Sequence, residues 1–237
     1  MLKTLLLSSA ALVAAGTANA ASISVQMFDQ ASFQAYVDRA DASTTETFEE
    51  ITPTSREIAN VETSVGNFQS LGGTGSGGSV IGTGEELAVR TQGNNAFGRS
   101  NTTPGGAFYL DSNDTFGIGW DATLGGSLFN SVAFSLTDAA DQGARLQIST
   151  DNGSLSTMLA NLPNAMTQLV VISFDEFISS ARIELLNTEP QQLNDGFSID
   201  DATLASAPAV PLPAAGVLLL AGLGSLGAMR RRKSATA

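Results

Sequence analysis

Residues 21–207 predict an all-β domain, a β-sandwich of jelly-roll type with one short N-terminal helix; a C-terminal transmembrane helix follows it. Three observations carry that prediction. Short runs rich in β-branched and aromatic residues recur between turn residues. Several of them alternate cleanly, as in Val132, Phe134 and Leu136, or Leu146 and Ile148. Almost no amphipathic helix separates the runs, which disfavours a parallel α/β fold and favours a sandwich.

The chain opens with Lys3, an apolar run over residues 5–15, and the small-x-small pattern Ala18-Asn19-Ala20. That order is the template of a secretory signal, with cleavage expected between Ala20 and the next residue. The run is too short for a permanent span, which takes about 20 residues. Residues 22–28 then alternate Ile23, Val25 and Met27, an opening strand. Phe33, Tyr36 and Val37 stand at helical spacing within residues 29–39, with Asp29 or Gln30 near the start of that helix. Residues 44–49 are a strand candidate, and 57–64 are ambiguous. Residues 71–84 are glycine-rich and poor in bulky side chains, which predicts a loop. Their G-x-G-x-x-G match at Gly73, Gly75 and Gly78 lacks the following helix that a dinucleotide site requires.

Strands are then expected over residues 87–91, 107–110, 116–120, 128–137, 144–150, 155–159, 168–174, 181–187 and 196–204. Asp151-Asn152-Gly153 joins two of them as a tight hairpin, Asn-Gly supplying positive φ angles. In the last strand Phe197 and Ile199 share a face, and strict alternation would send Ala202 and Leu204 to the other one. A bulge at Asp200-Asp201 returns both to the core and aims carboxylates and carbonyls at one point. Trp120, the only tryptophan, either stands at a strand end as a binding platform or fills the core, the core being preferred.

Beyond residue 208, Val210-Pro211-Leu212-Pro213-Ala214 leads into an uncharged stretch over 214–229 and then Arg230-Arg231-Arg232-Lys233. At 1.5 Å per residue that stretch reaches roughly 24 Å, and residues 210–213 bring it to the roughly 30 Å of a hydrocarbon core. The basic cluster is expected to stay cytoplasmic, leaving the body outside the inner membrane. Proline motif, short apolar helix and terminal arginines together resemble the PEP-CTERM sorting tail of Gram-negative bacteria, in its VPLPA-CTERM form. The resemblance covers about residues 208–233. It implies recognition by an exosortase-type enzyme that cuts near the motif, a transient or lasting inner-membrane anchor, and a place at the cell surface or in an exopolysaccharide matrix. Leu212 stands where the parent Pro-Glu-Pro motif has glutamate.

The three parts are therefore residues 1–20, a secreted domain over 21–207, and the tail over 208–237. All 23 acidic residues lie in the body, where only six arginines oppose them, giving a formal charge of −17. Such a surface repels phosphate backbones, so nucleic acid is not an expected partner. With no cysteine and no histidine, disulfides, the usual zinc and haem sites, and Ser-His-Asp or Cys-His catalysis are excluded. A metal would have to be a hard cation held by oxygen, calcium first. The acidic turns at Asp111, Asn113 and Asp114 and at residues 138–143 are either cation ligands or solvated turns.

Gly196 to Leu204 and the Thr47-Phe48-Glu49-Glu50 segment resemble the closing and opening strands of carbohydrate-binding-module-like jelly rolls. That resemblance implies a structural calcium ion between the two ends, with Glu49, Asp200 and Asp201 as ligands. No catalytic residues are marked: adjacent acids such as Asp175-Glu176 point to opposite faces of a strand. The expected function is a non-enzymatic exported sandwich contacting matrix or polysaccharide. The alternatives are a secreted hydrolase acting on matrix glycans and a purely structural surface protein.

Overall fold

A computed structural model describes residues 21–51, 57–75, 81–91, 97–188 and 194–206. The signal segment with Ala18 and Ala20, the sorting motif Val210 to Ala214, the span 214–229 and the basic end Arg230 to Lys233 all lie outside the described residues.

Alternating apolar residues force two sheets to face each other. The first runs β1 (Ser22–Met27), β11 (Thr167–Ile178), β8 (Phe129–Thr137), β13 (Ser198–Ser206), β6 (Phe108–Asp111) and β5 (Ala88–Thr91), with β2 (Ala42–Glu46) also pairing β13. The second runs β10 (Leu155–Ala160), β9 (Arg145–Thr150), β12 (Ser180–Asn187), β7 (Gly117–Thr123), β4 (Gly66–Ser70) and β3 (Asn60–Thr63). Every pairing among the named strands is antiparallel. The fold is a β-sandwich.

One core fills the space between the sheets. Val132, Phe134 and Leu136 of β8 meet Ile118 and Trp120 of β7 and Ile183 and Leu185 of β12, all fully buried. Trp120 stacks on Phe68 at 4.8 Å, meets Phe134 edge-on at 6.2 Å and donates its indole N–H to the Val65 carbonyl at 2.9 Å. It is a core residue, with its one polar atom satisfied.

The helix α1 (Gln30–Arg39) starts where Asp29 caps it, its carboxylate accepting from the Ser32 N–H at 2.9 Å. It lays Phe33 and Tyr36 over Ala133, Leu169 and Ala205, covering the outer face of the first sheet. The outer face of the second sheet is left uncovered and is mostly polar, with Asn60, Glu62, Asp121 and Ser156 exposed beside Met158.

Several sequence expectations change in detail. The strand expected over residues 44–49 is β2, which ends at Glu46, so Thr47-Phe48-Glu49-Glu50 forms a turn with Phe48 at φ 59° rather than an opening strand. The ambiguous segment contains β3, and β4 was not expected at all, because Gly66, Asn67 and Gln69 are poor strand residues on propensity. The β9–β10 hairpin forms, yet its left-handed residues are Gly153 (φ 76°) and Ser154 (φ 49°) rather than Asn152 and Gly153. The loop runs over residues 151–154, with a 3-10 turn at Asn152–Ser154, two residues longer than an Asn-Gly turn requires. The glycine-rich segment is irregular where described, and Gly75 donates its N–H to the Asp114 carbonyl at 2.7 Å.

Candidate functional site

The bulge in β13 forms where the alternation demands it. Asp200 pairs with Ser135 and Thr203 with Ala133, so Asp201 and Ala202 together oppose Phe134. Asp201 takes φ 53°, a left-handed conformation that aspartate tolerates better than most side chains. Ala202 and Leu204 return to the core. On the other side of β13 the neighbour changes at the same point: β6 pairs Ser198 and Ile199, whereas β2 pairs Ala202 onward.

A strap over residues 99–108 crosses that gap and is held by carboxylates. Asp200 Oδ2 accepts from the backbone N–H of Thr102 at 2.7 Å and of Thr103 at 3.0 Å. Asp201 accepts from the hydroxyls of the same two threonines, both at 2.7 Å. Glu49 Oε1 accepts from the N–H groups of Ala107 at 2.7 Å and Phe108 at 2.8 Å, and from Asn101 Nδ2 at 3.3 Å. Burial pushes Asp200 up to about 7, with the Asp201 charge adding to it; the amides of Thr102 and Thr103 oppose the shift. Asp201 is also raised, by burial first and by the Glu49 charge in addition.

The bulge therefore brings Asp200 and Asp201 together, with Glu49 near enough to act on Asp201. Both oxygens of Asp200 and Asp201, and Oε1 of Glu49, already face N–H and O–H donors, and a calcium ion needs bare oxygen lone pairs. The donor set at Glu49 and Asp200 does not fit a cation as it stands. Among the described residues no three acidic side chains meet at one point to hold a metal ion.

A second cluster occupies one end of the sandwich. Arg99, 1% exposed, donates to Asp111 at 2.8 Å and to the Asn113 carbonyl at 3.2 Å. Burial raises Asp111, and the guanidinium opposes that. Beside this pair the β8–β9 loop brings Asp138 and Asp141, and the segment before β13 brings Asp195. Asp195 Oδ2 accepts from the Asp141 N–H at 2.8 Å, and Asp138 Oδ1 from the Ala165 N–H at 2.6 Å. Burial lifts Asp138 to about 6 and Asp195 to about 7, and the Asp141 charge pushes both the same way. The Asp111–Asp114 turn is structural: Asn113 also bonds the Ile81 and Glu86 carbonyls, and Asp114 accepts from Asn194 at 3.0 Å. Phe97 projects over Arg99, 5.5 Å from ring centre to guanidinium carbon, and is 59% exposed at φ 59°.

The third feature is the outer face of the second sheet. Register sets Asn67, Asp121 and Arg182 side by side, and beside them the row Gln69, Gly119, Glu184, Ser149 and Ser156. Arg182 lies across Gly119, where a Cβ would meet its guanidinium nitrogen at 2.0 Å. It donates to Asp121 at 2.9 Å and Glu184 at 3.2 Å. The hydrogen-bonding surroundings turn the Gln69 amide oxygen toward it as well, accepting from Nη1 and from Nη2 at 3.0 Å. Sequence reading passed over this face, because outward polar residues on a strand look like an ordinary solvated surface.

No known protein-family profile matches the chain, and no curated protein matches it either. Several solved structures resemble it. An arabinose-bound MgGH51 α-L-arabinofuranosidase does so at 11% identity and TM-score 0.42, over 70% of this chain and 26% of that one. This chain thus spans about a quarter of that enzyme. The CBM27-1 module of Caldicellulosiruptor saccharolyticus, in complex with mannohexaose, resembles it at 12% identity and TM-score 0.39, over 71% of this chain and 99% of that one. A family 29 carbohydrate-binding module does so at 10% identity and TM-score 0.33, over 71% and 92%.

Proposed function

We propose that the chain is an exported, non-enzymatic β-sandwich that binds neutral polysaccharide through the outer face of its second sheet. The observation that carries this reading is Arg182, spread over Gly119 and held by Gln69, Asp121 and Glu184. A guanidinium offers paired N–H donors, and flanking carboxylates and amides offer acceptors; vicinal hydroxyls need both. The glycine leaves the backbone low, so the guanidinium can lie flat across the strands and present its edge to a polymer. The acidic body disfavours anionic polymers, which is why the ligand is a neutral one. Trp120, Tyr36 and Tyr109 are all buried, so hydrogen bonds and repeated contact along a polymer supply the affinity rather than ring stacking.

Export rests on the terminal segments. In this reading the signal is removed after Ala20, an exosortase-type enzyme processes the tail near Val210-Pro211-Leu212-Pro213-Ala214, and the product works at the cell surface or in the matrix. Intact mass and fractionation of the protein from its native cells test that part. The expected product starts at Ala21 and has lost the basic end; an intact product in the cytosol refutes export.

Binding is tested by co-sedimentation with neutral and uronic-acid polysaccharides, beside a hydrolase screen on the same polymers. Neutral polymers are expected to retain the protein, Arg182→Ala is expected to release it, and no polymer should shorten. Retention by Arg182→Ala overturns the site. Turnover overturns the non-enzymatic reading, and raised acids such as Asp138 and Asp195 are where such an activity would be sought.

A further inference from the structure

We infer that Asn152, in the β9–β10 loop, is a site of spontaneous covalent modification: its side-chain amide is converted, through a cyclic imide formed with Gly153, to aspartate and isoaspartate. The site does not depend on the polysaccharide reading.

Asn152-Gly153 is the chain's only Asn-Gly step. A glycine has no side chain to block the approach of its nitrogen to the residue before it, and it turns through positive φ without steric cost. Gly153 already sits at φ 76°. The loop is open around it, since a Cβ there would meet nothing nearer than 3.7 Å. Asp151, Gly153 and Ser154 are exposed, and Asn152 is half-buried.

Hydrogen bonding leaves both reacting groups free. The loop spends the N–H of Asn152 on Thr150 Oγ1 and that of Ser154 on the Asp151 carbonyl, both at 3.3 Å. Among the described residues neither the Gly153 N–H nor the Asn152 side-chain amide has a hydrogen-bond partner. Other asparagine side chains are tied down. Asn101 donates to the Phe108 carbonyl at 2.8 Å, Asn113 to the Ile81 carbonyl at 2.9 Å and Asn194 to the Asp114 carbonyl at 3.0 Å. The chain's one Asp-Gly step, Asp195-Gly196, is locked as well. Asp195 Oδ2 holds the Asp141 N–H, and a Cβ at Gly196 would run into the Arg99 guanidinium.

In the first step hydroxide takes the proton from the Gly153 nitrogen, which attacks Cγ of Asn152. The N–Cγ bond forms, the Cγ–Nδ2 bond breaks, and ammonia leaves with a proton from water, which restores the hydroxide. Water then opens the imide at either carbonyl. Opening at Cγ gives aspartate; opening at the main-chain carbonyl gives isoaspartate, whose backbone is one carbon longer. Nothing is oxidised or reduced.

The longer backbone has a defined place to act. Pairing of Thr150 with Leu155 fixes the length of the loop. Asp151 is tied to β12 in both directions, its N–H donating to the Arg182 carbonyl at 3.2 Å and its Oδ1 accepting from the Arg182 N–H at 2.9 Å. An added backbone carbon beside Asp151 pulls on that tie.

The test incubates the full chain at pH 7 and pH 9 and follows it by peptide mapping with isoaspartate detection and by amide hydrogen exchange. Amide-to-acid conversion is expected at Asn152 ahead of every other asparagine, several-fold faster at pH 9, with isoaspartate beside aspartate. Asn152→Gln, whose longer side chain closes the ring less readily, is expected to keep its amide. The Arg182 amide should exchange faster in the isoaspartate form than in the fresh chain. Asn152→Asp supplies the charge without the extra carbon and should leave the Arg182 amide protected. An Asn152 that keeps its amide at pH 9, or converts no faster than the other asparagines, overturns the site. Equal loss of Arg182 protection in Asn152→Asp overturns the role given to the longer backbone.

Discussion

Two clusters of three acids sit on the same sandwich and meet opposite solutions to the same problem. At the bulge, Glu49, Asp200 and Asp201 are wrapped by a strap whose amides and hydroxyls point at them. At the loop end, Asp138, Asp141 and Asp195 collect two backbone amides and one long amide contact among them. The first is closed by the chain's own donors; the second keeps lone pairs. A count of acids would rank the two alike, so what separates them is where the neighbouring N–H groups point.

The largest effect expected is at Arg99. Replacing it with Met leaves the fully buried Asp111 charged and unpaired, a loss of about 3–5 kcal/mol in urea denaturation at pH 7.5. A loss below about 1 kcal/mol would mean that the loop end tolerates a bare carboxylate. Next comes the strap. Asp200→Ala strips the acceptor from the Thr102 and Thr103 amides and is expected to cost about 2–4 kcal/mol, with Asp200→Asn milder. Equal stability of the two variants would break the claim that backbone donors hold the bulge.

A pH series sharpens the contrast. Asp200 titrates near 7 when folded, against 3.8 for the ordinary group. A raised acid favours the folded state fully below its unfolded value, and that benefit is lost as pH climbs through the folded one. Stability should therefore decline between about pH 4 and pH 7, and Asp200→Asn should flatten part of that decline. A rise over that range would contradict it. The smallest effect is Asp138→Asn, expected to add about 1 kcal/mol at pH 8 by removing a buried charge that Asp141 also repels.

Much of the scaffold was legible because the physics is local. Val132, Phe134 and Leu136 announce their strand, and Asp29 caps its helix through a side chain three residues from its partner. The bulge, expected at Asp200-Asp201 and formed by Asp201 and Ala202, followed from a single parity break, since only an extra residue reconciles Ile199 with Ala202 and Leu204 as core. Carboxylate environments were not legible. Whether Asp200 meets an ion or an amide depends on a strap 97 and 98 residues away in sequence, and Asp195 meets Asp141 across 54 residues. Arg182 was equally hidden, because its partners Gln69 and Asp121 arrive from two other strands.

Amide hydrogen exchange in the native chain and in Asp200→Ala reads both clusters in one experiment. The strap amides of Thr102 and Thr103 should be protected in the native chain and exchange faster in the variant, while those of Asp141 and Ala165, held by other carboxylates, should be unmoved. Strap amides that exchange no faster once the Asp200 carboxylate is gone would contradict the account.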